Sequence, residues 1–362
     1  MSLDQLQPRL QAALARATFE LLAARVPAGH WVGKLSSSAL STATAVTALA
    51  VAQRESEVFN LKSHIGSGTD WLARHVNTDG GWGDTPDSVS NLSTTTLCWA
   101  AFGAAKADVQ FTTLLQRAEQ WLADHINVPH SAFRIPHSPL ASAIVARYGK
   151  DRTFSVPILT MCALAGRLGG GREAWQHVIP LPFELAACPH SWFAALRLPV
   201  VSYALPALIA IGQARHVHCP SRNPVARLAR QLTRQRTLRV LARIQPSSGG
   251  FLEATPLTSF VTLSLAGSGQ VKHPVTQRGV EFLKASQRPE GSWPIDTNLA
   301  TWISTLAVNA LPMDEGRWPI GPAQPLEPFQ REIAQWKSAV RRWLLAQQYR
   351  AEHPYTHAAP GG

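Results

Sequence analysis

Few groups of side chains in this sequence have the types and spacing of a catalytic or metal-binding site. His216, His218 and Cys219 are metal-ligating types close together, but no second cluster of such residues completes a site. The glycines at 169–171 are not followed by the Lys-Ser or Lys-Thr pair of a phosphate-binding loop. We therefore expect neither a metal nor any other cofactor.

The cysteines also argue against a metal or disulfide framework. They are far apart and form no CxxC pair, and they are Cys98, Cys162, Cys188 and Cys219. The amphipathic N-terminal segment carries Asp4 and Glu20 and lacks the apolar core of a signal peptide. No run of 18 or more uncharged apolar residues occurs, so we expect a cytoplasmic protein without a membrane-spanning helix.

Positive charge is concentrated in one part of the chain. The 362 residues carry a formal net charge of +11, and no Asp or Glu occurs between Glu184 and Glu253. That window contains Arg197, Arg215, Arg222, Arg227, Arg230, Arg234, Arg236, Arg239 and Arg243. Such a basic field favours an anionic partner, although a solvated basic helix without a partner is the alternative. The arginines lack interleaved aromatics and a known module, so we expect an anionic membrane surface and no nucleic acid.

Apolar residues recur at steps of three or four along most of the chain, which predicts an all-α fold. The clearest example is the C-terminal set Phe329, Ile333, Trp336, Val340 and Trp343. Only Ser259–Leu263, which reads SFVTL, is locally prone to form a strand. Frequent Pro and Gly residues between the apolar stretches predict many short helices joined by tight loops.

Three of these loops share a helix end, a short polar stretch, a glycine, and a tryptophan two residues later. The pairs are Gly29 with Trp31, Gly80 with Trp82, and Gly291 with Trp293. The glycine is expected to cap the helix in a left-handed conformation, and the tryptophan to fold back onto the helix end. Gln287 could bond backbone groups at the adjoining helix ends. Helix pairs that cannot bury their own faces must stack, which predicts a closed ring of paired helices.

One of these loops carries a family signature. Residues 287–293 read QRPEGSW and match QxxxGxW, the QW repeat of squalene-hopene cyclases and related class II triterpene cyclases. Val76 and Arg25 replace the Gln in the other two loops. GHWVGKLSSSALSTATAV and DGGWGDTPDSVSNLSTTTLCWAA resemble the first two QW regions, in the same order. The sequence thus resembles the prenyltransferase and squalene cyclase repeat superfamily along nearly its whole length.

The resemblance implies an α/α toroid, also called an α/α barrel. Residues 12–270 would form one barrel, and residues 271–362 would begin a second, incomplete one. The apolar face from Phe329 to Trp343 would then lack a partner. In the family, an Asp-Xaa-Asp-Asp motif supplies the acid that protonates an alkene or epoxide. This sequence contains no such motif and ends at Pro360-Gly361-Gly362, where the family pattern approaches it.

The resemblance therefore implies the N-terminal half of a class II polyprenoid cyclase of hopanoid-type triterpenoid biosynthesis, inactive alone. A C-terminal half carrying the DxDD acid would be its partner, and a polyprenoid such as squalene the substrate. Asp296 is a weak candidate for the acid. The alternative is a purely structural role as the N-cap of a helix over 297–307. Trp293 and Phe251 are candidates for lining a substrate cavity. A non-catalytic lipid-binding or scaffold protein, or a degenerate gene product, is the alternative.

A membrane role is expected because a polyprenoid substrate resides in the bilayer. The apolar segment Leu198–Ile211 is too short to span a membrane and contains Pro199 and Pro206. We expect it to enter one leaflet at the inner face of the cell membrane, with the contacts Leu198, Val200, Leu205, Leu208 and Ile211. A buried barrel helix, with the following arginines facing water, is the alternative for this segment.

Overall fold

The computed structural model describes residues 3–33, 35–56, 58–133, 138–189, 192–193, 202–311, 327–353 and 359–361. These residues are mainly helical, which confirms the all-α class. They form two compact units, one spanning Leu35–Thr297 and the other joining Met1–Lys34 to Asn298–His353. The expected domains of 12–270 and 271–362 differ from this division at both boundaries.

The helices are α1 (Leu3–Ala23), α2 (Ala39–Arg54), α3 (Lys62–Arg74), α4 (Leu92–Ala104), α5 (Thr112–His125), α6 (His130–Phe133), α7 (Ser138–Tyr148), α8 (Arg152–Leu164), α9 (Gly171–Ala174), α10 (Leu205–His218), α11 (Pro224–Ile244), α12 (Thr255–Leu265), α13 (Pro274–Ser286), α14 (Ala300–Ala310) and α15 (Glu327–Gln347). Short 3₁₀ turns occupy Phe183–Ala187, Ser202–Ala204 and Phe251–Glu253, and a π turn occupies Ala266–Gln270. The strands are β1 (Ser37–Ser38) and β2 (Trp293–Pro294).

The larger unit is an α/α barrel. In the described residues, α2, α4, α8, α10 and α12 pack side by side in that order, and α12 packs back against α2. A second layer lies outside them, with α3, α5, α7, α11 and α13 packed on α2, α4, α8, α10 and α12 respectively. The inner helices α2 and α12 also contact α8 across the ring. The toroid expected from the sequence is therefore the observed fold.

The inner helices are built from small and apolar residues around their whole circumference. In α2 every residue from Ser41 to Ala52 is buried, and α4 is buried almost throughout. Several buried hydroxyls bond carbonyls of their own helix, as Thr47 does to Ala43 and Thr160 to Val156. This satisfies the hydroxyls without partners on other helices, and small side chains allow neighbouring helices to pack closely.

The outer helices bury one face and expose the other. Helix α3 buries Trp71 and Leu72 between exposed polar residues, and α13 buries Phe282 and Leu283 in the same way. An antiparallel ladder pairs Ser37 with Pro294 at the entry and exit of this unit. The first and last segments of the larger unit are thus joined by backbone hydrogen bonds as well as by helix packing.

The smaller unit has its own apolar core. Its buried side chains are Leu22, Trp31, Ala307, Leu311, Trp336 and Val340. Trp343 stacks on His30 with ring centroids 4.0 Å apart. The expectation that the α15 face lacks a partner is therefore wrong for Trp336, Val340 and Trp343, because residues near the N-terminus cover them. The side chains of Phe329 and Ile333 lie outside the described residues.

Candidate functional site

The QW-type loops share one backbone conformation. In the loop 287–293 the N–H of Gly291 donates to the carbonyl of Arg288 (2.9 Å), and the N–H of Arg288 donates to the carbonyl of Ser292 (2.9 Å). The loop containing Gly80 repeats both bonds between Asn77 and residues 80 and 81. The loop containing Gly29 repeats them between Val26 and residues 29 and 30. The three loops predicted from sequence are therefore equivalent in structure.

The loop glycines are required by conformation and by space. Gly291 has φ +100°, and a Cβ there would lie 2.4 Å from the carbonyl oxygen of Ser67 in α3. Gly80 has φ +94°, with the carbonyl of Arg117 in α5 at 3.1 Å from the position of a Cβ. Each loop of the larger unit thus packs its glycine on a neighbouring outer helix. Since the Gly291 loop packs on α3, the last loop contacts the first outer helix of the ring.

Each tryptophan ties its loop to the helix before it and to a second helix. The indole N–H groups of Trp31, Trp82 and Trp293 donate to the carbonyls ten residues earlier, at 2.6, 2.9 and 2.7 Å. Their backbone N–H groups donate to hydroxyls of Ser304, Thr95 and Thr42, each at 3.0 Å. These bonds confirm the structural role expected for the aromatic residue.

A fourth loop of this kind was missed in the sequence. Residues 245–251 read QPSSGGF, so Phe251 stands at the tryptophan position. Gly249 has φ +88° and faces the carbonyl of Arg278 in α13, and the N–H of Phe251 donates to Thr258 (2.9 Å). The signal was present, because Gln245 and Gly249 have the QW spacing. A search for tryptophan could not find it.

The glutamines of two loops act alike. Gln287 donates from Nε2 to the carbonyls of Gly291 (3.1 Å) and His64 (3.0 Å). Gln245 donates from Nε2 to the carbonyls of Gly249 (2.9 Å) and Val275 (3.1 Å). Each glutamine therefore joins its own loop to a neighbouring outer helix, α3 or α13. This agrees with the backbone-bonding role expected for Gln287.

Asp296 lies in an extended segment rather than at a helix start. Its backbone pairs with Ala254, with hydrogen bonds from Thr255 to Ile295 (2.8 Å) and from Thr297 to Glu253 (2.8 Å). Helix α14 begins at Ala300, whose N–H donates to the side chain of Asn298, so the N-cap interpretation of Asp296 is wrong. Burial raises the pKa of the Asp296 carboxyl.

Trp293 and Phe251 are absent from the lining of two cavities formed by described residues. Both side chains are buried between helices, with exposed fractions of 0% and 1%. One cavity, of about 320 Å³, lies beside Ala141 and His177, and a second, of about 280 Å³, has four arginines among its nine lining residues. The described contacts of both side chains are those of the loops, and their contact with a substrate stays a prediction.

The apolar segment expected to enter a membrane contributes to the barrel. Ile211 is fully buried on the inner helix α10, so its assignment as a membrane contact is wrong. Leu205 packs against the core formed by α10, α11 and α12, and Leu208 is half-buried. Leu198 and Val200 lie outside the described residues. The alternative of a buried barrel helix is correct for the described part, because α10 closes the ring between α8 and α12.

The basic segment forms the outer helix α11. Its buried face consists of Thr237, Leu238, Leu241 and Ile244. Its other side exposes Val225, Leu228 and Leu232, with exposed fractions of 75%, 61% and 73%. Those three residues follow steps of three and four, so they lie along one stripe of the helix. Six arginines and no acidic residue occur in the same helix.

Nucleophilic and metal chemistry has little support in the described residues. Burial raises the pKa of Cys162 to about 12 and that of Cys98 well above its ordinary value, which leaves both as neutral thiols. His218 stacks on Trp175 and contacts the carbonyl of Gly267 (2.7 Å). Among the described residues, no group of three or more His, Cys, Asp or Glu side chains is placed to hold a metal. No described helix combines the length and apolar character needed to cross a membrane.

This arrangement defines the class of the protein as an α/α barrel with QW-type loops. Residues 14–132 match the family model of the squalene-hopene cyclase N-terminal domain. That segment holds two of the loops, and it is the part of the chain that is similar to this family. No protein of curated function matches the sequence.

Solved structures give weaker likenesses. A crystal structure of a protein from Actinoplanes shares 19% identity, with 78% of this chain and 82% of that one covered, at a TM-score of 0.32. A variant of the type II terpene cyclase MstE from Scytonema, in complex with the substrate geranylgeranyl dihydroxybenzoate, shares 16% identity. The match covers 81% of this chain and 82% of the MstE chain, at a TM-score of 0.31. The fold assignment rests on the helix ring itself.

Proposed function

We propose that this chain is the barrel-bearing part of a class II polyprenoid cyclase and acts with a polypeptide that supplies the protonating acid. The observation that carries this proposal is the set of QW-type loops in a ring that begins within the matched cyclase domain. The sequence itself contains no DxDD motif. The substrate class is a polyprenoid such as squalene, in hopanoid-type triterpenoid biosynthesis.

The chemistry of alkene protonation explains why a second polypeptide is proposed. The acid must be protonated at neutral pH and must still release its proton readily, which neighbouring acidic groups and hydrogen bonds achieve together. Burial alone makes Asp296 a weaker acid than usual, because it raises the pKa of the carboxyl. The raised pKa favours the protonated form of Asp296 but makes its proton harder to release, so burial meets only the first of these two requirements.

The proposal is tested by incubating squalene with the purified chain, alone and after co-expression with a cyclase C-terminal half that carries DxDD. Gas chromatography with mass spectrometry should detect cyclised product only for the co-expressed pair. The matched variant Asp296→Asn should leave that yield unchanged. Product from the chain alone, lost in Asp296→Asn, would contradict the proposal and identify Asp296 as the acid.

The second candidate function is that of a non-catalytic protein at an anionic lipid surface, and α11 is the observation that favours it. Val225, Leu228 and Leu232 present an exposed apolar stripe among arginines. An amphipathic basic helix of this kind binds in the interface plane, and each arginine near an anionic surface contributes about 1 kcal/mol. Peripheral association with the inner face of the cell membrane through α11 is compatible with either function.

Liposome flotation tests the role of α11. The parent chain should float with vesicles containing phosphatidylglycerol, and flotation should weaken as salt screens the arginines. The double variant Leu228→Gln with Leu232→Gln should reduce it strongly. The matched control is Val89→Gln with Val109→Gln, since these valines of the same unit are also highly exposed. Equal flotation of both double variants would exclude α11 as the contact.

A further inference from the structure

An arginine-lined cavity of about 280 Å³ lies between the end of α10, the start of α11 and the short helix α9. Its cationic lining residues are Arg172, Arg215, Arg222 and Arg230. Ser221 and Gln176 add polar groups to the same wall. Since one water occupies about 30 Å³ in the liquid, the space admits several waters or one small anionic group.

Arg215 is fixed by the backbone around it. Arg215 donates from Nε to the carbonyl of Val178 (2.7 Å) and from a terminal nitrogen to the carbonyl of Cys219. These two bonds hold the guanidinium in one orientation at the cavity wall. A side chain ordered in this way loses little further freedom when it binds a ligand.

The positive charges of the cavity are only partly neutralised. Glu184 pairs with Arg230 at 3.0 Å, and both side chains are largely buried. Four guanidinium groups against this one carboxylate leave an excess of three positive charges. Glu173, on the same short helix as Arg172, is exposed and does not line the cavity.

The like charges already affect one another. Burial lowers the pKa of Arg215, Cys219 opposes that change, and the charges of Arg230 and Arg172 lower the pKa further. An arginine remains protonated at neutral pH in spite of such a shift. An anion between these groups would relieve the repulsion, and guanidinium groups match phosphate oxygens in geometry and charge.

We propose that this cavity binds a phosphate or diphosphate group, carried either by a soluble anion or by the headgroup of an anionic lipid. The inference goes beyond the proposed cyclase role, because it concerns a binding site on the outside of the ring. It is also distinct from the exposed stripe of α11, since Val225, Leu228 and Leu232 do not line the cavity.

The test measures binding of inorganic pyrophosphate to the full chain by isothermal titration calorimetry. In parallel, flotation compares vesicles containing phosphatidic acid with neutral vesicles. The test variant is Arg172→Gln with Arg222→Gln, because both side chains are exposed and their loss should not unfold the barrel. The matched control is Arg147→Gln with Lys272→Gln, which removes two exposed cations of the same unit that lie outside α11 and do not line the cavity.

Saturable pyrophosphate binding that weakens at least tenfold in the test variant, and less than threefold in the control, supports a soluble phosphate ligand. Absence of pyrophosphate binding, with phosphatidic acid flotation lost only in the test variant, supports a lipid headgroup. Equal losses in the two double variants would mean a general charge effect and would overturn the proposal. Binding of neither probe would also overturn the proposal. All of these readouts are independent of cyclase activity.

Discussion

Gly291 meets two requirements of the QW-type loop, a left-handed backbone conformation and the absence of a Cβ. Its φ of +100° is unfavourable for any L side chain, and a Cβ would lie 2.4 Å from the carbonyl oxygen of Ser67. Gly166 offers a matched comparison, because it has φ +74° but nothing within 4 Å of a Cβ. The two positions therefore separate the conformational penalty from the steric one.

We predict that Gly166→Ala lowers the free energy of unfolding by about 1–2 kcal/mol, which is the left-handed penalty alone. Gly291→Ala should lower it by about 2–5 kcal/mol, because overpacking against a backbone oxygen is added to that penalty. Urea denaturation followed by circular dichroism measures both values. If the two substitutions cost the same, the loop does not press on α3 as described.

The burial of Asp296 makes the stability of the native state depend on pH. Burial raises the pKa of its carboxyl, so the native state disfavours the ionised form. The native state is then destabilised as pH rises from the ordinary carboxyl pKa of about 3.9 through the raised value. Asp296→Asn should melt at a higher temperature than the parent chain near neutral pH, and the difference should vanish in acid. A less stable variant at neutral pH would show that the ionised carboxylate makes a favourable contact.

At the scale of elements, hydroxyl groups near the starts of inner helices hold the QW-type loops. Thr42 in α2 accepts a hydrogen bond from the backbone N–H of Trp293 (3.0 Å), although the two residues are far apart in sequence. Thr47, also buried in α2, bonds only the carbonyl of Ala43 in its own helix. The same helix thus contains one hydroxyl that joins elements and one that does not.

Thr42→Val should lower the free energy of unfolding by about 1–3 kcal/mol, because it leaves the buried N–H of Trp293 without an acceptor. Thr47→Val should be close to neutral, since the Ala43 carbonyl keeps its helical hydrogen bond. Thermal melts of the two variants, which delete the same group from one helix, measure the difference. Equal losses would mean that packing, and not the loop hydrogen bond, decides the effect at Thr42.

At the scale of the whole molecule, the ring depends on contacts between its two ends. Helix α13 and the Gly291 loop pack on α12, α2 and α3, and β2 pairs with β1. We therefore expect a fragment of residues 35–297 to fold with a cooperative thermal transition. A fragment of residues 35–270 lacks these closing contacts and should lose cooperativity and bind a hydrophobic dye. Equal melting behaviour of the two fragments would place the boundary near residue 270 instead.

Part of this architecture could be predicted from the residues. Helical periodicity and the spacing of Gly and Trp are local signals, and they predict an all-α ring and three of its loops. Gln245 and Gly249 have the spacing of a further loop, but the loop was missed because Phe251 occupies the tryptophan position. The short segment Ser259–Leu263, prone to form a strand in isolation, is helical because α12 packs between α2 and α10 in the inner ring.

The sequence by itself determined the helices, the QW-type turns and the concentration of arginines, because these follow from local spacing and composition. Only the tertiary structure decided which apolar surfaces are covered. An inner barrel helix and a lipid-facing helix are both apolar around much of their circumference, so the composition around Ile211 could not distinguish them. Ring closure buries Ile211 on α10 and leaves Leu228 exposed on α11, because α10 lies in the inner layer and α11 in the outer one.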